Sequence, residues 1–388
     1  MKVLMLGPFC IHTTRQVNWA LEKGCEVTLI SDQNPYTIEK SNFWYINQPS
    51  VRGARLYRMI LPKKQANRLI DLLFRVQYRI WWKTVRPDVV HVNWVGGEAY
   101  YMACACAKPF LLTVWGSDVN MHFFQNADPE QRYRAGFTLG HADKVVIDAM
   151  DMAEKCSLLA GKYVPTELVP LGVDTELFRP GYELAARTWR RVLAIPDAAK
   201  VVVSIRALEK RYGHDSILEA FAKALPHLGG EAVLIFRRYN PKLEDEYEIH
   251  LRHQAERLGI LSKVRWMDSV PYRTLPEVYS LADLVVNFPD YDAFPVTFIE
   301  AAACCRPVLS CRLSSYINTF ADECFRMVPP QSTETLAKAI IEELKHSLNE
   351  ALPVLAKARA IVESNYNELI SATKIMDLYT DLSKAGKP

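Results

Sequence analysis

Two carboxylates stand eight positions apart in YDAFPVTFIEAAACCRPVLS, residues 291–310: Asp292 and Glu300. A carboxylate can accept from two vicinal hydroxyls, as on a ribose or a hexose. If a helix begins near Val296, Asp292 lies in the loop before it and Glu300 one turn in. Both would then face the mouth above the carboxyl edge of a sheet, the usual ligand crevice of open α/β folds. Backbone N–H groups over Phe294, Pro295, Val296 and Thr297 at the helix start would suit a phosphate or a sugar hydroxyl, because the first turn leaves donors unpaired and its dipole favours electron-rich ligands. The plainer reading is an N-capping Asp and a helix-surface Glu, and spacing alone does not choose between the two. A second locus is VVVSIRALEKRYGHDSILEAFAKAL, residues 201–225, where a strand ends near Ile205 and Arg206, Lys210 and Arg211 crowd the loop before a helix. Cations placed there can neutralise a diphosphate, Arg bidentately. A solvated basic loop fits the same residues.

The elements that must position these residues read as parallel α/β structure. Short β-branched runs alternate with longer helical patterns, the signature of βαβ units. Strands are expected over residues 3–6, 26–31, 88–92, 110–114, 144–147 and 167–169, then over 200–205, 232–236, 264–266, 284–287 and 308–310. Each series makes one doubly wound domain. Between them PLGVDTELFRPG, residues 170–181, has prolines and glycines at both ends and an acidic centre, as a domain junction does. We therefore expect domains over 1–180 and 181–365, with a C-terminal helix over 366–388 packing back on the first.

The bulk properties narrow the class. A chain of 388 residues, 49% hydrophobic and 23% charged, is neither disordered nor fibrous. The apolar run 3–6 is too short for a signal-peptide core, and the best apolar stretch, 99–115, is broken by Lys108 and Pro109 before it could span a bilayer. Nine cysteines, Cys106 among them, with no CxxC pair, read as reduced thiols in a cytosol. A net charge of +3 does not suggest a nucleic-acid partner.

GVDTELFRP, SIRALEKRYGHDSILEAF and DAFPVTFIEAAACCRPV, in this order and spacing, closely resemble hallmark segments of the retaining glycosyltransferases of family 4. The first half agrees through a glycine-bearing loop over Gly7 to Arg15, EKGCEVTLIS, DVVHVNW and TVWGSD. The resemblance implies a GT-B fold, two Rossmann-like domains with parallel sheets facing across a cleft, and a nucleotide-sugar donor held mainly by the second. It implies that Glu300 binds the nucleotide ribose, that Asp292 contacts the donor sugar and that Arg206 meets the diphosphate. RALEKRYGHD carries an extra residue, so the partner lysine is matched by Lys210 or, next, by Arg211. Gly7 and His12 would approach the phosphates from the first domain, and Asp118 follows a strand end where acceptor or donor-sugar contacts arise. Departures are Asp292 for a glutamate, Ala293 and Cys305 for glycines, and Asn93 and Trp115 for frequent histidines.

The implied chemistry is a front-face substitution. The acceptor hydroxyl attacks from the leaving-group side, and Arg206 and Lys210 stabilise charge on the departing β-phosphate. No protein nucleophile is required, although Asp118 is the first to test for one. No cofactor is expected, since the nucleotide-sugar is a substrate. Asp290 and Asp292 form a DxD pair, but it precedes the FPVTFIE segment of a GT-B-like domain, which weighs against a divalent metal. UDP is the most frequent base choice among relatives and GDP the next. The acceptor would be a saccharide or a lipid-linked one in polysaccharide or glycolipid synthesis. A non-catalytic sugar-nucleotide-binding protein and a nucleotide-sugar epimerase are the competing readings.

Residues 51–86 carry ten basic residues, Arg52, Arg55 and Arg58 among them, against one acid, Asp71. Leu69, Leu72, Leu73, Val76 and Ile80 recur at helical spacing, with Arg68, Arg75, Arg79 and Lys83 as the opposite stripe. Such a helix suits the anionic inner face of a membrane, making the protein cytoplasmic and peripheral. A core-facing apolar stripe with a solvated basic face fits equally well.

Overall fold

The computed structural model describes residues 1–8, 10–32, 42–47, 62–105, 107–239 and 241–385. The chain divides into two compact units, unit 1 comprising Met1–Leu171 and Ser371–Pro388, and unit 2 comprising Gly172–Ile370. Unit 1 holds β1 (Lys2–Leu6), β2 (Glu26–Ser31), β3 (Phe43–Asn47), β4 (Val89–Asn93), β5 (Phe110–Thr113), β6 (Lys144–Ile147) and β7 (Thr166–Leu168), in the order β3-β2-β1-β4-β5-β6-β7. Unit 2 holds β8 (Lys200–Ser204), β9 (Ala232–Arg237), β10 (Val264–Met267), β11 (Leu284–Asn287), β12 (Val308–Cys311) and β13 (Arg326–Val328), in the order β10-β9-β8-β11-β12-β13. Every pairing between these strands is parallel.

Strands buried on both faces explain the near-continuous apolar runs. Val3, Leu4 and Met5 in β1 and Val201, Val202 and Val203 in β8 are wholly inaccessible. In each sheet the strand order reverses beside the first strand, between β1 and β4 and between β8 and β11. In open α/β sheets such a reversal is where ligands commonly bind, outside the strand carboxyl ends. Two strands lie outside those expected. β3 is FWYIN, and β13 is a three-residue edge strand, RMV, too short to show a period.

The C-terminal segment is two helices. Leu348–Asn365 starts with a capping box, Ser347 with Glu350, and is followed by Glu368–Ala385. Ala372, Ile375 and Tyr379 of the second share a core with Met5, Trp19 and Leu29 of unit 1. Tyr379 also meets His91 of β4, Oη to Nδ1 at 2.6 Å, and the far imidazole nitrogen meets Thr113 Oγ1 at 2.7 Å. Residues 386–388 of the expected helix lie outside the described residues.

The helix Lys63–Val85 buries Ala66, Ile70 and Tyr78. Tyr78 and Phe74 pack on Tyr101, at 5.8 and 5.1 Å between ring centroids. Of the expected stripe, Leu69 is half-buried while Leu72, Leu73, Val76 and Ile80 are exposed, 43–56% of each residue's surface, so a core-facing role does not hold for these four. Arg75 is not part of a free basic stripe, because Asp71 and the hydroxyl of Tyr100 take its guanidinium at 2.8 and 2.7 Å. Arg68, Arg79 and Lys83 are exposed. Arg52, Arg55 and Arg58 lie outside the described residues. No described helix is long and apolar enough to cross a membrane. Cys106 too lies outside the described residues, whose eight cysteines form no disulfide with one another.

Candidate functional site

In unit 2 the two strands flanking the reversal each deliver one charged residue to the crevice. Arg206 follows β8, and Asp292 follows β11. They form an ion pair, Arg206 Nη2 lying 3.1 Å from Asp292 Oδ2 and 3.2 Å from Oδ1. Both side chains are largely enclosed, with 12% and 14% exposure. Burial opposes the charge on Arg206, but Asp292, then Tyr212 and Tyr316, outweigh it and hold the guanidinium firmly protonated. The guanidinium also lies 4.0 Å from the centroid of Tyr212, a cation–π contact that fixes its plane.

The loop after β8 is held against β11. Asp290 N–H donates to Arg211 carbonyl oxygen at 2.8 Å. Gly213 has a φ of +64°, and a Cβ there would lie 2.1 Å from the carbonyl oxygen of Phe288, so only glycine permits this approach. Arg211 pairs with Glu209 at 2.8 Å and lies 4.7 Å from the centroid of Tyr212. Lys210 is exposed on the same loop, in the short 3₁₀ turn Lys210–Tyr212.

The helix Val296–Ala303 begins at Pro295 with no side-chain cap. Pro295 has no N–H, so the donors of this turn come from its neighbours. Phe294 turns its ring into the core, against Phe298, Phe320 and Tyr366 at 5.7–6.0 Å, leaving only its backbone for a ligand. Val296 and Thr297 are half-buried, and Thr297 Oγ1 has no hydrogen-bond partner among the described residues. Glu300 is 5% exposed and accepts at 2.6 Å from the hydroxyl of Tyr279, on the helix Leu275–Leu281. Burial and then Glu300 raise the Tyr279 phenol well above its ordinary value, so it stays a donor. Asp292 thus meets a cation, whereas Glu300 meets the phenol of Tyr279.

Unit 1 presents its own edge. A Cβ on Gly7, just after β1, would lie 2.9 Å from Asn93 Cβ at the end of β4, so this turn too depends on glycine. Asn93 is 2% exposed, and neither amide atom has a partner among the described residues. His12 packs edge-on to Trp115 at 5.4 Å, and Trp115 edge-on to Trp94 at 5.6 Å. Asp118 is fully buried, and its oxygens accept from the backbone N–H groups of Val95 at 2.8 Å and Trp115 at 3.0 Å. Burial pushes its carboxyl up to about 6, against the lowering effect of those N–H groups. This geometry ties the loops after β4 and β5 together. Among the described residues no group of three or more His, Cys, Asp or Glu side chains is placed to hold a metal ion.

Spacing in the sequence did not point to Tyr212, Tyr279, Asn287 or Tyr316. Only Tyr212 leaves a local trace, as the aromatic inside the basic loop KRYG.

Two Rossmann-like units with parallel sheets define a GT-B protein. The model of the family described as "Glycosyl transferases group 1" matches residues 185–367, and that of "Glycosyl transferase 4-like" matches residues 2–149. The chain belongs to the group 1 glycosyl transferases. It is 29% identical over 228 residues to a D-inositol 3-phosphate glycosyltransferase of Corynebacterium jeikeium strain K411, covering 56% of this chain and 52% of that protein. The match spans between a third and just over half of the length of the curated relatives. Among solved structures it resembles a sucrose-phosphate synthase of Thermosynechococcus elongatus, with a TM-score of 0.80, 19% identity and 100% of each chain covered. It also resembles HepE of Anabaena in complex with UDP-glucose, with a TM-score of 0.76, 15% identity, and 98% of this chain and 100% of that one covered.

Proposed function

We propose that the protein is a retaining glycosyltransferase that moves a sugar from a nucleoside diphosphate, UDP first among the bases, to a hydroxyl of a saccharide or lipid-linked saccharide. The observation that carries this reading is the Arg206–Asp292 pair at the strand reversal of unit 2, with Glu300 buried on the helix that follows. Arg206, flanked by Lys210 and Arg211, neutralises the diphosphate and the charge that grows on it as the glycosidic bond breaks. The N–H groups at the start of Val296–Ala303 donate to a phosphate or sugar oxygen. Asp292 receives a sugar hydroxyl, and Glu300 the ribose.

Retention without a covalent intermediate agrees with how the aspartates are engaged. Asp292 is turned to Arg206 and Tyr316, and Asp118 to backbone N–H groups. The departing phosphate oxygen then takes the acceptor proton. The cationic loop supplies the charge neutralisation that a divalent ion gives elsewhere, so turnover should survive a chelator.

Calorimetric titration of UDP, GDP, ADP and TDP tests the donor site. One nucleotide should bind selectively, and Arg206→Ala should weaken it about tenfold or more, the loss of a charged hydrogen bond worth roughly 1.5–3 kcal/mol. Equal, weak binding of all four, unaffected by Arg206→Ala, sinks the assignment. Binding with neither transfer nor donor hydrolysis would favour a non-catalytic sugar-nucleotide binder. Interconversion of free sugar nucleotides would favour an epimerase.

The acceptor side carries a second reading. The exposed face Leu72, Leu73, Val76 and Ile80, with Arg68, Arg79 and Lys83 on the same helix, matches an anionic lipid surface in both apolarity and charge. A protein working peripherally on an inner membrane leaflet would use it. Anionic vesicles should retain the protein at low salt, and Arg79→Glu with Lys83→Glu should abolish retention, at about 1 kcal/mol per basic residue. Equal retention by neutral vesicles would remove the electrostatic argument.

A further inference from the structure

Asp292 has a third partner that the donor-site reading does not use. The hydroxyl of Tyr316 donates to Asp292 Oδ2 at 3.2 Å, and Asn287 Nδ2 donates to the Tyr316 oxygen at 3.3 Å. Tyr316 is 1% exposed and is wedged against Phe298 at 4.9 Å between centroids, edge to face. Asn287 is the last residue of β11 and is itself 1% exposed. Its carbonyl oxygen accepts from Ser310 of β12 at 2.6 Å. A hydrogen-bonded relay therefore runs from the sheet through Asn287 and Tyr316 to one carboxylate oxygen. The other oxygen accepts from the N–H of Ala293 at 3.1 Å.

Arg206 Nη2 straddles both oxygens, so the two charges at the strand reversal neutralise each other. A diphosphate arriving at Arg206 competes with Asp292 for the same guanidinium. Once Arg206 turns to phosphate, the Ala293 N–H and the Tyr316 hydroxyl still hold Asp292, one on each oxygen. A carboxylate oxygen has more than one lone pair, so it can accept from a ligand hydroxyl beside a protein donor.

We infer that Tyr316 is the positioning residue of the donor-sugar site. It retains Asp292 when Arg206 passes to phosphate, so that the carboxylate recognises the transferred sugar instead of swinging after the cation. This rests on the donor-site reading above and adds to it a residue on the loop after β12. An Asp side chain is one methylene shorter than Glu and reaches less far into a crevice, so its placement depends more on what anchors it.

The test compares bare and sugar-bearing nucleotides: UDP with UDP-glucose, and GDP with GDP-mannose, titrated into wild type, Tyr316→Phe, Asp292→Asn and the double variant, with thermal midpoints as the folding control. Tyr316→Phe should leave the affinity for the bare nucleotide within about twofold and lower the extra affinity conferred by the sugar about five- to tenfold, the range of one lost hydrogen bond. In the Asp292→Asn background the same change should have no further effect. Asn287→Ser, which frees the Tyr316 hydroxyl without removing it, should act in the same direction more weakly and serves if Tyr316→Phe does not fold. An unchanged sugar increment, an equal loss for bare and sugar-bearing nucleotides, or additive effects in the double variant would each overturn the assignment. If wild type binds none of these, nor ADP or TDP, the donor-site reading itself fails and takes this inference with it; if ADP or TDP is the one selected, the same comparison is made with its glucose derivative.

Discussion

Asp118 and Asp292 both follow a strand at the carboxyl edge of a parallel sheet, yet their surroundings give them different work. Asp292 keeps a cation and a phenol within 3.2 Å and belongs to a crevice, whereas Asp118 is sealed and spends its oxygens on two backbone N–H groups. A group so enclosed acts through the loops it ties. Asp118→Asn puts an amide N–H₂ against one of those donors and should cost about 1–3 kcal/mol at pH 7, read from chemical denaturation. Nucleotide affinity in unit 2 should be unchanged. If stability holds while turnover vanishes, Asp118 reacts with the substrate and the tie is incidental. At this scale the sequence shows charge and reach but not direction. Arg206 and Asp292 were legible because residues just after parallel strands meet at one edge. Tyr316 was not, because its link to Asp292 exists only once β11 and β12 lie side by side.

Elements were legible where period and length were strong. Eleven strands announced themselves as β-branched runs, and β3 and β13 at the sheet edges did not. The helix Lys63–Val85 shows the limit of periodicity. Its sequence has two apolar stripes, Ala66, Ile70 and Tyr78 on one face and Leu72, Leu73, Val76 and Ile80 on another, and a 3.6-residue period cannot say which is buried. Tyr101, on the helix Gly97–Cys104, decides it by receiving Phe74 and Tyr78. Cys305, where the family resemblance expects glycine, has a φ of 52°, so the left-handed requirement persists although the residue has changed. The C-terminal helix is joined to its sheet by the buried His91–Tyr379 contact, and that joint has a pH signature. Burial pushes the His91 imidazole down to about 3 from 6.5. A folded value below the unfolded one means that its contribution is complete above pH 6.5 and is lost as pH falls toward 3. Relative to His91→Gln, wild type should lose about 1.4 kcal/mol of unfolding free energy for each pH unit below 6.5. Denaturation curves of the two proteins that stay parallel from pH 7 to pH 5 would show that the imidazole is not held neutral.

At the scale of the whole molecule, the chain commits each unit to its own parallel sheet and its own strand reversal, so ligand contacts can be assigned unit by unit. The charged residues proposed for the diphosphate, Arg206, Lys210 and Arg211, all belong to unit 2, while unit 1 offers Gly7, His12 and an aromatic corner at its own edge. Binding energy from a nucleoside diphosphate should therefore enter through unit 2. A ligand at one hundred times its dissociation constant stabilises the state it binds by roughly 2.7 kcal/mol, a change visible in backbone amide exchange. With saturating UDP, or whichever base is selected, exchange should slow over residues 205–213 and 287–300, and the sheet of unit 1 should keep its rates. Slowing at the edge of unit 1 alone, with 205–213 untouched, would move the nucleotide to the other unit and leave the Arg206–Asp292 pair as a structural ion pair holding the loops after β8 and β11 together.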